Sequence, residues 1–173
     1  LKVFYQYGYV IIENTKAEEN EVINFAEKLG PVRATNFGKL FNVISKPNPN
    51  DLAYTALELT SHSDNPYRKP VPGIQLLHCI ANESTGGDSS LVDGFSVANF
   101  LQHNLPEFYE VLTETNVTFK FTDIDTILVD EAKLIELDHN NNFRQIRFSG
   151  RLDYVPLLDE NNLDLFYKAR KYM

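Results

Sequence analysis

The sequence predicts a mainly β chain with covering helices (α+β), built as a double-sheet jelly roll rather than an alternating βαβ fold. Three observations carry that expectation. Apolar, β-branched or aromatic runs of strand length recur along the chain, turns rich in Pro, Gly and Asn separate them, and only a few stretches show helical apolar spacing. No repeat, low-complexity tract or linker interrupts the pattern, so a single domain over residues 1–173 is expected.

Residues 4–12 read as a buried strand, because they are dominated by aromatic and β-branched side chains up to Glu13-Asn14. Between 17 and 29 the apolar residues Val22, Phe25, Ala26 and Leu29 fall on one helical face, and Gly30-Pro31 stops that helix. Residues 40–45 form a short strand candidate, and the turn Pro47-Asn48-Pro49-Asn50 leads into another over 52–59. After Pro70 and Pro72, residues 73–80 are a near-continuous apolar strand, which the Gly86-Gly87 loop joins to 90–92. Helices follow near 96–103 and 106–113, then strands near 117–122, 133–137 and 143–148. The polar run from Asp138 to Asn142 turns the last two strands, and the chain closes on a helix from about Asn161 with Leu163, Phe166 and Tyr167 on one face.

Composition narrows the partners. With 24 acidic against 16 basic residues, the net charge is -8, and no basic stripe suits a phosphate backbone, so nucleic acid is not an expected partner. The single cysteine, Cys79, has no internal disulfide partner, and no apolar run has the length of a membrane span. A reducing, cytoplasmic setting without membrane contact is expected. The sequence starts at Leu1 and its only methionine is Met173, so a translation start is expected upstream.

The chemistry centres on His62 and Asp64. Two residues apart on an extended strand they share a face, separated by roughly 7 Å along it. That is two thirds of the 2-His-1-carboxylate triad that holds Fe(II) and leaves positions open for a cosubstrate and dioxygen. A surface His/Asp pair explains the same short triplet. The setting favours the metal: a proline-flanked segment, an apolar strand and a Gly-Gly turn bring such a pair to the mouth of a barrel.

On longer motifs the chain resembles the gamma-butyrobetaine hydroxylase branch of the taurine-dioxygenase-like, Fe(II)/2-oxoglutarate-dependent oxygenases. The motifs are Asp51-Leu52-Ala53-Tyr54-Thr55, His62-Ser63-Asp64-Asn65-Pro66-Tyr67, the run from Pro72 to Cys79, and Gly86 to Phe95. Weaker similarity extends from Tyr7-Gly8-Tyr9 to the helix carrying Phe166-Tyr167. The resemblance implies a double-stranded β-helix and hydroxylation of an unactivated C–H bond. It implies Fe(II) as cofactor, with 2-oxoglutarate and dioxygen as cosubstrates and succinate and CO2 as coproducts. It makes His62 and Asp64 the first two iron ligands. Because the carboxylate is intact, hydroxylation is favoured over halogenation.

The same resemblance puts Ser89 where a hydroxyl holds the cosubstrate carboxylate, with the backbone around Leu77 beside it and Asp51 nearby. A hydroxyl there satisfies a buried carboxylate, although after Gly-Gly a serine is also an ordinary turn residue. Phe37, Phe41 and Tyr54 match an aromatic cage for a trimethylammonium group, which has no N–H and is held by cation–π and dispersion contacts. Core packing accounts equally well for three aromatics among strands. Asn65 stands at a further substrate position. The implied substrate is a small quaternary-ammonium zwitterion such as gamma-butyrobetaine, as in carnitine biosynthesis, and the implied assembly is a homodimer.

Three departures stand out. Asp51 replaces a frequent Asn, adding a charge that Arg147 or Arg151 can compensate unless those are surface residues. Ser149-Gly150 replaces a paired Asn. The distal iron-binding His and the Arg for the cosubstrate's far carboxylate lie in the family after the helix that here stops at Met173, and His78, His103 and His139 are poor substitutes. The resemblance therefore implies a catalytic domain that lacks its final strands and is not competent alone. Two other readings stay open: a betaine-binding module with an incomplete metal site, and a structural barrel without ligand.

Overall fold

The computed structural model describes residues 2–44, 59–83 and 85–173. Leu1–Leu59 with Ile74–Ser89 forms one compact unit, and Thr60–Gly73 with Ser90–Met173 forms the other.

In the first unit, helix α1 (Lys2–Tyr7) occupies ground expected to be a strand. Gly8, in the left-handed region at φ +76°, ends it, and its N–H donates to the Phe4 carbonyl at 2.7 Å. The aromatic and β-branched residues of 4–12 favour a strand only beside a pairing neighbour; among the described residues they have none, and backbone groups at the start of the segment pair locally. Helix α2 (Glu21–Leu29) begins a turn later than expected, with Glu21 in its first turn and Lys28 in its last, each favourable to the helix dipole. Gly30 closes it by donating to the Ala26 carbonyl at 3.1 Å. Residues 40–44 and 74–80 carry no regular strand, contrary to expectation; residue 45 and most of 52–59 lie outside the described residues. No described residue of this unit is buried.

The second unit contains helices α3 (Gly94–Asn104) and α4 (Pro106–Glu114), strands β1 (Val117–Asp123), β2 (Thr126–Ala132), β3 (Ile135–Leu137) and β4 (Phe143–Ile146), and helix α5 (Glu160–Arg170). The Asp93 carboxylate caps α3, accepting from Phe95 N at 2.9 Å and Ser96 Oγ at 2.7 Å. Those bonds, first the one from the Ser96 side chain, hold its carboxyl below the usual value. Gly94 follows because a Cβ there would meet Ile146 Cδ1 at 3.1 Å. Pro106 starts α4, where its missing N–H costs no helix bond. The residues 90–92 expected as a strand lead irregularly into this cap.

β1 and β2 form an antiparallel ladder from Val117↔Ala132 to Asp123↔Thr126, and β3 pairs with β4 through Ile135↔Ile146. β2 was not expected from the sequence. On the far edge of β1, Lys120 N donates to Leu152 O and Tyr154 N to Thr118 O, each at 2.8 Å. The Asp138–Asn142 turn forms as expected, with Asn141 at φ +61° and the Asp138 carboxylate accepting from Asn140 N and Asn142 N. Leu101, Leu112, Phe119, Leu134, Ile135 and Phe166 are fully buried and form the core, each worth roughly 1.5–3 kcal/mol of burial.

The described residues thus contain helices and antiparallel strands in two separate two-stranded sheets, and they do not by themselves close a barrel. Among them no helix is long and apolar enough to cross a membrane.

Candidate metal centre

The His62-Ser63-Asp64 segment is built outward from the core of the second unit. Ser63 N donates to Phe148 O at 2.8 Å, and Ser63 Oγ accepts from Phe148 N at 2.9 Å. Ser63 thereby faces residue 148, just past β4, and the two-residue alternation turns His62 and Asp64 to the other side. Their side chains are 33% and 41% exposed, so the pair is reachable.

The His62 ring is oriented by Nδ1, 2.7 Å from the Thr60 carbonyl. A carbonyl only accepts, so Nδ1 donates there and Nε2 is the ring atom turned toward Asp64. That Nε2 lies 3.2 Å from Asp64 Oδ1. Two donor atoms each about 2.1 Å from one divalent ion, at a right angle, stand about 3.0 Å apart. The pair therefore fits adjacent coordination positions, with the second ring nitrogen anchored to a carbonyl as ligating histidines commonly are. Among the described residues no third His, Cys, Asp or Glu joins them.

The chain then turns sharply into the core. Asn65 adopts φ +53°, Arg68 N donates to Asn65 O at 3.1 Å, and Pro66, Tyr67 and Arg68 are buried. The Asn65 side chain, expected at the substrate, accepts from the Tyr67 hydroxyl at 2.6 Å, which ties it to the turn. Tyr67 stacks on Phe121 of β1 with ring centroids 5.0 Å apart.

Arg147 was expected either beside Asp51 or on the surface; it is buried and engaged elsewhere. Its Nη1 donates to Asp130 Oδ2 at 2.6 Å and to Pro66 O at 3.0 Å. Its Nε lies 2.5 Å from Glu136 Oε1, an ion pair without hydrogen-bond alignment. The sequence carries little local warning of this: Arg147 is one of two arginines in Phe143-Arg144-Gln145-Ile146-Arg147-Phe148, and only the fold brings Asp130 and Glu136 to it. Ser149, which with Gly150 stands in place of a paired Asn, is also buried, and its Oγ accepts from Leu152 N at 3.3 Å in a turn. Arg170 Nη2 donates to Asp153 Oδ2 at 2.5 Å and to Ser149 O at 3.1 Å.

The remaining expected residues belong to the first unit. Phe37 and Phe41 meet with ring centroids 5.6 Å apart, tilted by 45°. Ser89 is exposed after Gly86 and Gly87, both in the left-handed region at φ +91° and +81°. Leu77 is also exposed. Both ring nitrogens of His78 are buried without a hydrogen-bond partner among the described residues. Asp51 and Tyr54 lie outside the described residues.

Residues 1–169 match the Taurine catabolism dioxygenase TauD, TfdA family. The chain is 36% identical over 162 residues to the gamma-butyrobetaine dioxygenase of Pseudomonas sp. (strain AK-1), covering 94% of this chain and 42% of that relative. Against the human gamma-butyrobetaine dioxygenase it is 35% identical over 170 residues, covering 95% of this chain and 43% of the relative. Against the trimethyllysine dioxygenase of Meyerozyma guilliermondii it is 32% identical over 176 residues, with 99% and 44% covered. The chain spans less than half the length of these relatives.

Proposed function

The chain belongs to the TauD/TfdA dioxygenase family, and on that premise we propose that it carries the first two iron ligands of an Fe(II)- and 2-oxoglutarate-dependent hydroxylase. Its substrate is a small quaternary-ammonium zwitterion such as gamma-butyrobetaine. The observation that carries the reading is the His62 Nε2–Asp64 Oδ1 separation of 3.2 Å, with Nδ1 fixed on Thr60.

When bound, iron supplies the activation of dioxygen, coupled to oxidative decarboxylation of 2-oxoglutarate. The chain's residues bind and orient. His62 presents Nε2 and Asp64 a carboxylate oxygen, and the third ligand is a histidine outside the described residues. The Ser89 hydroxyl donates to a carboxylate of 2-oxoglutarate, with the Leu77 backbone beside it and Asp51 near the same end. Phe37, Phe41 and Tyr54 offer aromatic faces to the trimethylammonium group, and Asn65 borders the substrate. The relatives' names support this choice, since both gamma-butyrobetaine and trimethyllysine carry that group. We read the fold as a single jelly-roll catalytic domain, and the enzyme as a cytoplasmic homodimer.

The test is succinate release by the full-length protein supplied with Fe(II), 2-oxoglutarate and gamma-butyrobetaine. Substrate-dependent succinate is expected. Betaine binding that survives metal removal, with no succinate, would instead indicate a binding module on the same scaffold.

A further inference from the structure

We propose that Arg147 is a positioning residue for the metal pair: through Pro66 it holds Asp64 against His62 at the spacing a divalent cation needs. The inference rests on the reading of His62 and Asp64 as iron ligands.

His62 Nε2 and Asp64 Oδ1 stand 3.2 Å apart, the spacing of two neighbouring ligands of one cation. Keeping that spacing requires the short segment that carries them to be held on both sides. One restraint is the Ser63–Phe148 bridge, a single residue wide. Beyond Asp64 the Asn65 turn and the Tyr67 ring on Phe121 hold the chain to the core. The restraint that ties this stretch directly to the strand end beside Phe148 is Arg147 Nη1, which donates to Pro66 O at 3.0 Å, two residues beyond Asp64. With both ends held, Asp64 is fixed from either side.

The guanidinium is itself immobilised. Asp130 on β2 and Glu136 on β3 flank it at 2.6 and 2.5 Å, and the Arg147 backbone N–H donates to Leu134 O at 2.9 Å. A planar fork serves acceptors in several directions at once; a lysine ammonium in the same place has no fixed fork and a shorter reach. Two carboxylates beside one buried arginine are costly if only anchoring the hairpins were required. Reaching Pro66 gives the arrangement a further use.

The experiment titrates Co(II) into the full-length protein, followed by visible absorption, alongside thermal unfolding. Arg147→Met leaves the half-buried Asp130 and Glu136 carboxylates without their cation and risks misfolding, so it is made together with Asp130→Asn and Glu136→Gln. Arg147→Lys, which keeps the charge, is the second variant and decides independently. Leu112→Ala, a core truncation on α4, controls for lost stability. The expected result is an unfolding midpoint within a few degrees of wild type for the neutralised triple variant, with Co(II) affinity about tenfold weaker. Arg147→Lys falls between, and Leu112→Ala melts earlier at unchanged affinity. Wild-type affinity in either folded Arg147 variant overturns the proposal. So does an equal loss of affinity in Leu112→Ala. If wild type binds Co(II) no better than His62→Ala, the metal reading itself fails, an outcome distinct from a failure of Arg147 alone.

Discussion

Residues 60–68 and residues 74–89 belong to one continuous run of motifs, yet they are built differently. The first stretch is tied to the core: Ser63 to Phe148, Pro66 to Arg147, and Tyr67 against Phe121. The second is apolar in sequence, but Ile74 and Leu77 are 56% and 75% exposed, and no described residue between 74 and 89 is buried. Apolar sequence is a demand for a partner surface, not a guarantee of one. The proposed metal pair accordingly stands on packed structure, whereas the residues proposed for the cosubstrate stand on a segment with no buried residue among those described.

Substitutions separate the two kinds of region. The largest effect is expected from His62→Ala or Asp64→Ala in the full-length protein, each abolishing metal binding and turnover while changing stability by about 0.5 kcal/mol or less, since both side chains are substantially exposed. Metal retained in either variant, measured by metal analysis after dialysis, would break the assignment. Next comes Phe119→Ala, expected to cost about 3–5 kcal/mol in denaturant unfolding, against about 0.5 kcal/mol or less for Ile11→Ala in the other unit. Equal costs would show that the first unit is packed in solution as tightly as the second. Ser89→Ala is expected to weaken 2-oxoglutarate about tenfold, through loss of one hydrogen bond to a charged group, at no cost in melting temperature. A stability loss with unchanged cosubstrate affinity would make Ser89 only a turn residue.

The smallest effect concerns acid. Asp138 is held below its usual value near 3.8, first by the backbone N–H of Asn142, and Asp159 likewise by that of Asn162; Asp93 is lowered as described above. A carboxyl whose folded pKa is depressed adds stability above its unfolded pKa, and that stability is lost as pH falls through the folded value. Unfolding between pH 5 and about 3 should therefore show a modest decline that Asp138→Asn reduces. All three carboxyls cap or turn elements of the second unit, so the decline belongs to the better-packed region.

Much of the second unit was legible because local signals agreed with tertiary packing. Asp93 and Pro106 mark helix starts, Asp138 to Asn142 marks a turn, and Val117, Phe119 and Phe121 alternate inward on β1. β2 escaped because Ile127 and Val129 are exposed, so its apolar residues do not mark an inward face. α1 was misread because aromatic and β-branched content was weighed without a pairing partner. At the site, the His62/Asp64 alternation was visible in three residues, whereas their anchors, 81 and 85 positions away in sequence, have no local signature. Asn65 adds a contact with no local signature of its own, its side-chain oxygen accepting from the Tyr67 hydroxyl in the turn beside the pair.

Anaerobic titration of the full-length protein with Fe(II) and 2-oxoglutarate, wild type beside His62→Ala, is the most direct check on the metal pair. A weak visible charge-transfer band that saturates at one iron per chain in wild type and is absent in His62→Ala is the expected result. The same band in both proteins, or in neither, would contradict the assignment of His62 and Asp64 as iron ligands.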